Sequence, residues 1–162
     1  MIGTPIRAVV VSVSDTRREG DDVSGSTLVE LLIGIGAEVH EKVIVSDDGN
    51  EITATLTDLS DRDDVNLIMT TGGTGFSPRD NTPEATLAVI EREAPGLAEA
   101  MRRDTSAKTP LSMLSRAVCG SRGKVLIINL PGSPKGVTEC FEVVRPALQH
   151  AIDLLAGKSK HH

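Results

Sequence analysis

Aromatic side chains are nearly absent from this chain: it has no Trp and no Tyr, and its only Phe are Phe76 and Phe141. Recognition of single-stranded nucleic acid by stacking bases on aromatic platforms is therefore excluded as a main mode. A basic stripe is missing as well. The formal charge is −6, opposite in sign to a surface that neutralises nucleic-acid phosphates. No apolar run approaches the length needed to span a bilayer, so neither nucleic acid nor membrane is an expected partner. The N-terminal segment lacks the basic-then-apolar order of a secretory leader and leads directly into a strand pattern. There are two cysteines, Cys119 and Cys140, and they form no CxxC pair; four scattered His add no metal-ligand spacing. Reduced thiols and a cytoplasmic location are the expectation.

What is present reads as one α/β domain over residues 1–157, followed by a polar tail at 158–162 that includes His161 and His162. Ile6 to Val13 is rich in valine without strict alternation, which suits a strand covered on both faces. Leu28, Leu31, Leu32 and Ile35 recur at helical spacing, and Gly36 closes that helix. Glu38 to Val45 reads as a second strand. Ile52, Leu56 and Leu59 mark a second helix, and Val65, Leu67, Ile68 and Met69 a third strand. Successive strand–helix units imply a mainly parallel sheet between helical layers. Helices are expected from Pro83 to Glu93 and from Gly96 to about Thr105. An antiparallel pair should turn around Ser121 to Gly123. A long helix from Val137 should kink or restart at Pro146.

Ligands in such a sheet collect beyond the carboxyl ends of the strands. Four loops leave strands there: Ser14 to Ser24, Ser46 to Asn50, Gly72 to Asp80, and Pro131 to Lys135. The stretch Thr70 to Thr86 is the most telling, because a buried strand enters a turn containing Gly72, Gly73 and Gly75. Amides without neighbouring Cβ atoms can converge on one phosphate. Asp80 follows, and Thr82 and Pro83 read as N-cap and first helical residue. A carboxylate beside a phosphate cradle suggests magnesium. The plainer reading is a hydrated turn with a solvated charge. No Lys-Ser or Lys-Thr pair follows the glycines, so this is not a P-loop.

Asp47 and Asp48 can serve as a magnesium ligand and an orienting carboxylate; the plainer reading is that one of them, Asp48 before Asp47, caps the helix beginning near Gly49. Asp15, Asp21, Asp22, Arg17, Arg18 and Glu19 read first as solvated loop charges. Ser14, Ser24, Thr74 and Thr105 can donate to an anion or satisfy local backbone. Arg116 can meet an anion or a surface carboxylate, and Phe76 can plug the turn against the core. No Ser-His-Asp or Cys-His pairing emerges, so positioning and charge neutralisation are the expected chemistry.

SVSD at Ser12 to Asp15, TGGTGFSPRDNTPEAT at Thr71 to Thr86, PGLAEAMR at Pro95 to Arg102, LSR at Leu114 to Arg116 and IINLPGSPKG at Ile127 to Gly136 together resemble the MogA/MoaB family of molybdenum-cofactor biosynthesis. The resemblance runs from about Ile6 to Gly157. It implies a three-layer, molybdopterin-binding-domain-like α/β fold assembled as a homotrimer or trimer-based hexamer. It further implies adenylyl transfer from Mg-ATP to the phosphate of molybdopterin, yielding adenylyl-molybdopterin and pyrophosphate for a partner that inserts the metal. By motif, Gly72, Gly73, Thr74 and Gly75 would line the pterin-phosphate site, and Asp47 and Asp80 would handle Mg-ATP. Ser14, Asp22, Ser24, Thr105, Arg116, Pro131, Gly132 and Ser133 would complete the molybdopterin and ATP contacts. Where the family usually has Pro before the first carboxylate, this chain has Ser46, which leaves Asp47 and Asp48 in competition. The alternative within the same fold is a molybdopterin-binding scaffold without turnover.

Overall fold

The computed structural model describes residues 2–158. Strand β1 (Arg7–Val13) leads to α1 (Val23–Gly34), β2 (Glu38–Val45), α2 (Gly49–Ser60) and β3 (Leu67–Thr71). Then come α3 (Thr82–Val89), β4 (Arg92–Glu93), α4 (Pro95–Thr105), β5 (Cys119–Arg122), β6 (Val125–Leu130) and α5 (Pro134–Leu155). Short 3-10 turns occupy Glu19–Asp21 and Pro110–Leu114.

The strands form a single sheet in the order β2-β1-β3-β6-β5-β4. The first four are parallel, while β5 and β4 run antiparallel at one edge. Both faces are covered, as the near-continuous apolar runs imply. Ala8, Val10, Leu67, Met69 and Ile128 face a layer built on α1, α4 and α5, where Leu28, Leu32, Phe141 and Leu148 are buried. Val9, Val11, Ile68 and Ile127 face α2 and α3 through Ile52, Leu56, Ala85 and Val89. The result is a three-layer α/β sandwich. Because β1 lies between β2 and β3, the chain reverses direction across the sheet after β2, and the loops leaving β1 and β3 diverge to opposite faces. That is where ligands gather in open parallel sheets.

Three local expectations differ from the structure. The helix opened by Pro83 stops at Val89, since Ile90 is already extended (φ −69°, ψ 145°). The following residues pair with β5 instead: Glu91 N–H donates to Ser121 O at 2.8 Å and Ala94 N–H to Cys119 O at 2.8 Å. Strand pairing satisfies backbone groups that a further helical turn would leave facing solvent. The cap of α3 is Asn81, and Thr82 is the first helical residue. Its hydroxyl turns away to donate to Gly72 O at 3.0 Å. Finally, of the kink or restart expected at Pro146, the restart does not occur: α5 continues through it as one element. Val137, Phe141, Val144, Leu148 and Ile152 are buried along it, and this packing offsets the hydrogen bond that proline removes. The expected tail beyond Lys158, with His161 and His162, lies outside the described residues.

Candidate functional site

The glycine turn is built by its own backbone. Gly72 has φ 100° and Gly73 φ 69°, the left-handed region that side chains disfavour. Space is equally restrictive. A Cβ on Gly72 would stand 2.5 Å from Val13 O, and one on Gly73 would stand 2.4 Å from the Thr82 hydroxyl. The turn is tied to its neighbours by Gly72 N–H to Leu130 O (3.1 Å) and Thr82 N–H to Gly73 O (3.2 Å). The Thr71 hydroxyl adds a bond to Pro131 O (2.7 Å). Among the described residues, the amides of Gly73, Thr74, Gly75 and Phe76 have no protein acceptor, and neither do those of Gly132 and Ser133. Successive free amides on a turn make an anion cradle.

Arg116, a candidate for meeting the ligand, is consumed in bracing this turn. Its Nε donates to Gly75 O at 2.7 Å, its Nη2 to Asp80 O at 2.9 Å, and its Nη1 pairs with Glu84. Its backbone N–H reaches Thr74 O at 2.8 Å. Phe76 does not plug the core: its ring is 71% exposed, with the Arg116 guanidinium 5.6 Å from the centroid.

On the β1–β2 side the carboxylates gather. Asp15 and Asp47 accept each other's backbone N–H at 2.9 Å in both directions, a reciprocal clasp across the ends of paired strands. Arg79 donates from Nε (2.8 Å) and Nη2 to Asp15 Oδ2, and Asn81 Nδ2 donates to Asp47 O at 3.0 Å. The exits of β1, β2 and β3 are thereby joined. The Asp47 amide, followed by the Arg79 guanidinium, holds the Asp15 carboxyl below its usual range. Asp47 moves the other way. Burial raises it, and the charges of Asp15 and Asp80 add to the rise against the opposing Asp15 amide and Arg79. Asp48 has the plainer role, capping α2 through Asn50 N–H (2.9 Å) and Glu51 N–H (3.1 Å).

Asp80 Oδ2 accepts from Ser77 N–H at 3.0 Å. One oxygen of Asp47 and one of Asp80 are thus left without a protein donor among the described residues. No group of three or more His, Cys, Asp or Glu among those residues forms a protein-only metal cage. Two carboxylates that repel one another, each with a free oxygen beside an anion cradle, do fit magnesium, which binds through one or two carboxylates together with substrate phosphates.

On the other side of the glycine turn lies a cavity of about 390 Å³ between α4, the Pro110–Leu114 turn and the start of α5. Thr74, Gly75, Thr105, Pro131 and Ser133 all line it, so five of the candidate residues share one wall system. Asn129 stands among them, fully used: it donates to the Thr70 and Thr86 hydroxyls at 3.0 and 2.9 Å and accepts from Val118 N–H at 3.1 Å. The Thr105 hydroxyl donates to Met101 O at 2.6 Å. Cys140 also lines the cavity; burial pushes its thiol up to about 11 and that of Cys119 to about 12, so both remain protonated thiols.

The β1 exit loop closes the remaining flank, and here the structure reassigns two candidates. Asp22 is buried and faces inward. Burial opposes its charge, but donors from the Ser12 hydroxyl, Gly25 N–H and Lys42 hold the carboxyl below its usual range. Ser24, also buried, donates to Gly132 O at 2.6 Å. Both hold loops in place rather than presenting polar atoms to a ligand. The Ser14 hydroxyl accepts from the amides of Thr16 and Arg17 at 3.3 and 3.1 Å and shapes the same loop.

Asp15 and Arg79 were not singled out from sequence, yet a signal existed. Val-Ser-Asp occurs at residues 13–15 and again at 45–47, and Val13 pairs with Val45 at the ends of adjacent parallel strands. The clasp is that repeat folded onto itself.

Comparison with known proteins follows the same lines. Residues 9–150 match the family described as "Probable molybdopterin binding domain". A molybdopterin adenylyltransferase of Helicobacter pylori strain J99 is 41% identical over 153 residues, covering 91% of this chain and 86% of that protein. The molybdopterin adenylyltransferase of Escherichia coli K12 is 40% identical over 146 residues, covering 88% and 75%. Among solved structures, the molybdopterin biosynthesis enzyme MoaB of Thermus thermophilus superposes with a TM-score of 0.86 at 45% identity, covering 94% of this chain and 98% of the other.

Proposed function

The chain belongs to the molybdopterin-binding domain family matched over residues 9–150, and from that premise we propose that it is a molybdopterin adenylyltransferase of molybdenum-cofactor biosynthesis. The observation that carries this reading is the anion cradle at Gly73 to Phe76, which borders a cavity on one side and a carboxylate pair on the other. Two substrates that meet through phosphates need that order: the pterin in the cavity, its phosphate on the amides, and ATP on the carboxylate side.

In the reaction, an oxygen of the molybdopterin phosphate attacks the α-phosphorus of ATP. The new P–O bond forms as the bond to the bridging oxygen breaks, and pyrophosphate leaves. No covalent enzyme nucleophile is required. Asp47 and Asp80 would hold magnesium, which when bound neutralises charge on the leaving group. The glycine-turn amides hold the acceptor phosphate, and Arg116 keeps those amides in place through Gly75 O and Asp80 O. Thr74, Thr105, Pro131 and Ser133 border the pterin, and Ala98, Met101 and Leu114 add apolar wall that excludes water. Gly132 lies at the seam with Gly72, and Ser14, Asp22 and Ser24 fix the loop opposite.

A homotrimer or trimer-based hexamer and a metal-inserting partner enzyme complete the proposal. A cytoplasmic setting suits two buried free thiols. Incubating the purified protein with molybdopterin and Mg-ATP should give adenylyl-molybdopterin and pyrophosphate in equal amounts. Pterin bound with neither product formed would convert the assignment to a non-catalytic binding protein. Sedimentation tests the assembly.

A further inference from the structure

We propose that Arg17 is the cation of the phosphate cradle, the side chain that neutralises the anion held between the glycine turn and the Pro131–Ser133 loop. Three loops meet at this residue. Arg17 Nη2 donates to Gly132 O at 2.9 Å, and a Cβ on Gly132 would lie 3.4 Å from the Gly72 Cα and 4.0 Å from Arg17 Nη2. The guanidinium therefore sits where the two sets of acceptor-free amides come together.

Its ion pair with Asp22 is the longer of the two that this carboxylate makes. The nearest carboxylate, Asp22, already holds Lys42 at 3.1 Å, whereas Arg17 Nη1 is 3.7 Å from Asp22, beyond hydrogen-bond length. That Nη1 is buried with no hydrogen-bond partner. A buried guanidinium nitrogen without an acceptor is costly, and a small rotation toward an anion on the cradle would satisfy it.

Three other arginines around the site are anchored on protein partners. Arg116 has all three nitrogens on protein acceptors, Arg79 is spent on Asp15, and Arg102 Nη1 donates to Ser115 O and Ala117 O, both at 3.1 Å. Arg17 differs from these in setting a guanidinium nitrogen, Nη2, on Gly132 O at the seam itself. The polar loop that carries it reads in sequence as a run of solvated charges, which hides the residue.

This inference rests on the adenylyl-transfer reading for its ligand class, so its test uses a probe that needs no turnover. Inorganic pyrophosphate is titrated into the intact protein at low and high salt. Arg17→Gln should bind about tenfold more weakly, and its affinity should fall less steeply with salt, because one charge–charge contact is gone. Arg17→Lys should recover the salt dependence but only part of the affinity, since the charge returns without the planar fork. In the wild-type protein the Arg17 Nε–H resonance should move during the titration, a readout that does not depend on any variant folding.

An immobile resonance, an absence of pyrophosphate binding, or unchanged affinity and salt dependence in folded Arg17→Gln would each overturn the proposal. Pyrophosphate binding that weakens in Arg17→Gln while the wild type makes no adenylyl-molybdopterin would sink the transferase reading and keep this one. Wild-type kcat and KM for molybdopterin in Arg17→Gln would do the reverse.

Discussion

Replacing Asp22 should cost more stability than any other single carboxylate in the loops around the site. Its side chain is buried, caps α1 at Gly25 N–H, accepts from Ser12 on β1 and binds Lys42 on β2, whose side chain is only 12% exposed. Losing an N-cap costs about 1 kcal/mol. Removing one partner of a buried ion pair costs about 3–5 kcal/mol, because the remaining charge is stranded. The two effects overlap in one side chain, so Asp22→Ala should lose roughly 4 kcal/mol, a large share of a domain's stability. Asp22→Asn keeps the cap acceptor and loses only the charge; about 3 kcal/mol is expected.

Urea denaturation at neutral pH measures both variants. The double variant Asp22→Asn with Lys42→Met should recover most of the loss, since no charge is then stranded. The pH dependence supplies a second check. The folded carboxyl lies below its unfolded value, so its stabilisation is complete above the ordinary aspartate range near pH ~3.9 and disappears as pH falls through the lowered folded value. The gap between wild type and Asp22→Asn should narrow over that acid window. A loss under about 1 kcal/mol in Asp22→Asn, or simple additivity in the double variant, would refute the reasoning.

Asp80→Ala should abolish adenylyl transfer with a smaller effect on pterin binding; full turnover by this variant would remove Asp80 from the Mg-ATP assignment. Gly73→Ala forces a side chain to φ 69° and against the Thr82 hydroxyl. It should lower stability by about 1–3 kcal/mol and raise KM for the pterin, and an unchanged Tm and KM would show that the turn yields more easily than its geometry implies. Because burial raises Asp47 above the usual carboxylate range, transferase kcat/KM should decline on its acid side at a pH above ~3.9. An acid limb lost in Asp47→Asn would assign it, and one at or below the ordinary value would exclude Asp47 as the titrating group.

Much of this architecture can be read without coordinates. The apolar runs of β1 and β3 announce strands covered on both faces, and the spacing of Ile52, Leu56 and Leu59 places α2 with its buried side correct. Those signals are local: they depend on residue type and period, which a strand or helix imposes directly. The four strand-exit loops follow from the parallel order. The glycine turn follows from its composition, because Gly72 and Gly73 are required by backbone conformation and not by a distant partner.

Tertiary structure decided everything that depends on where a polar side chain points. Asp22 and Arg17 stand in one charged loop and look alike in sequence, yet one is sealed inside with a lysine from β2 while the other reaches across to Gly132 O. Arg116 is spent on two carbonyls that lie 41 and 36 residues away along the chain. Asp48 caps a helix, and its neighbour Asp47 joins Asp15 across two strands. Hydrophobic periodicity sets which faces are buried. The partner of each charge is set by approach of segments distant in sequence, and pairing over a few ångströms has no period for the sequence to display.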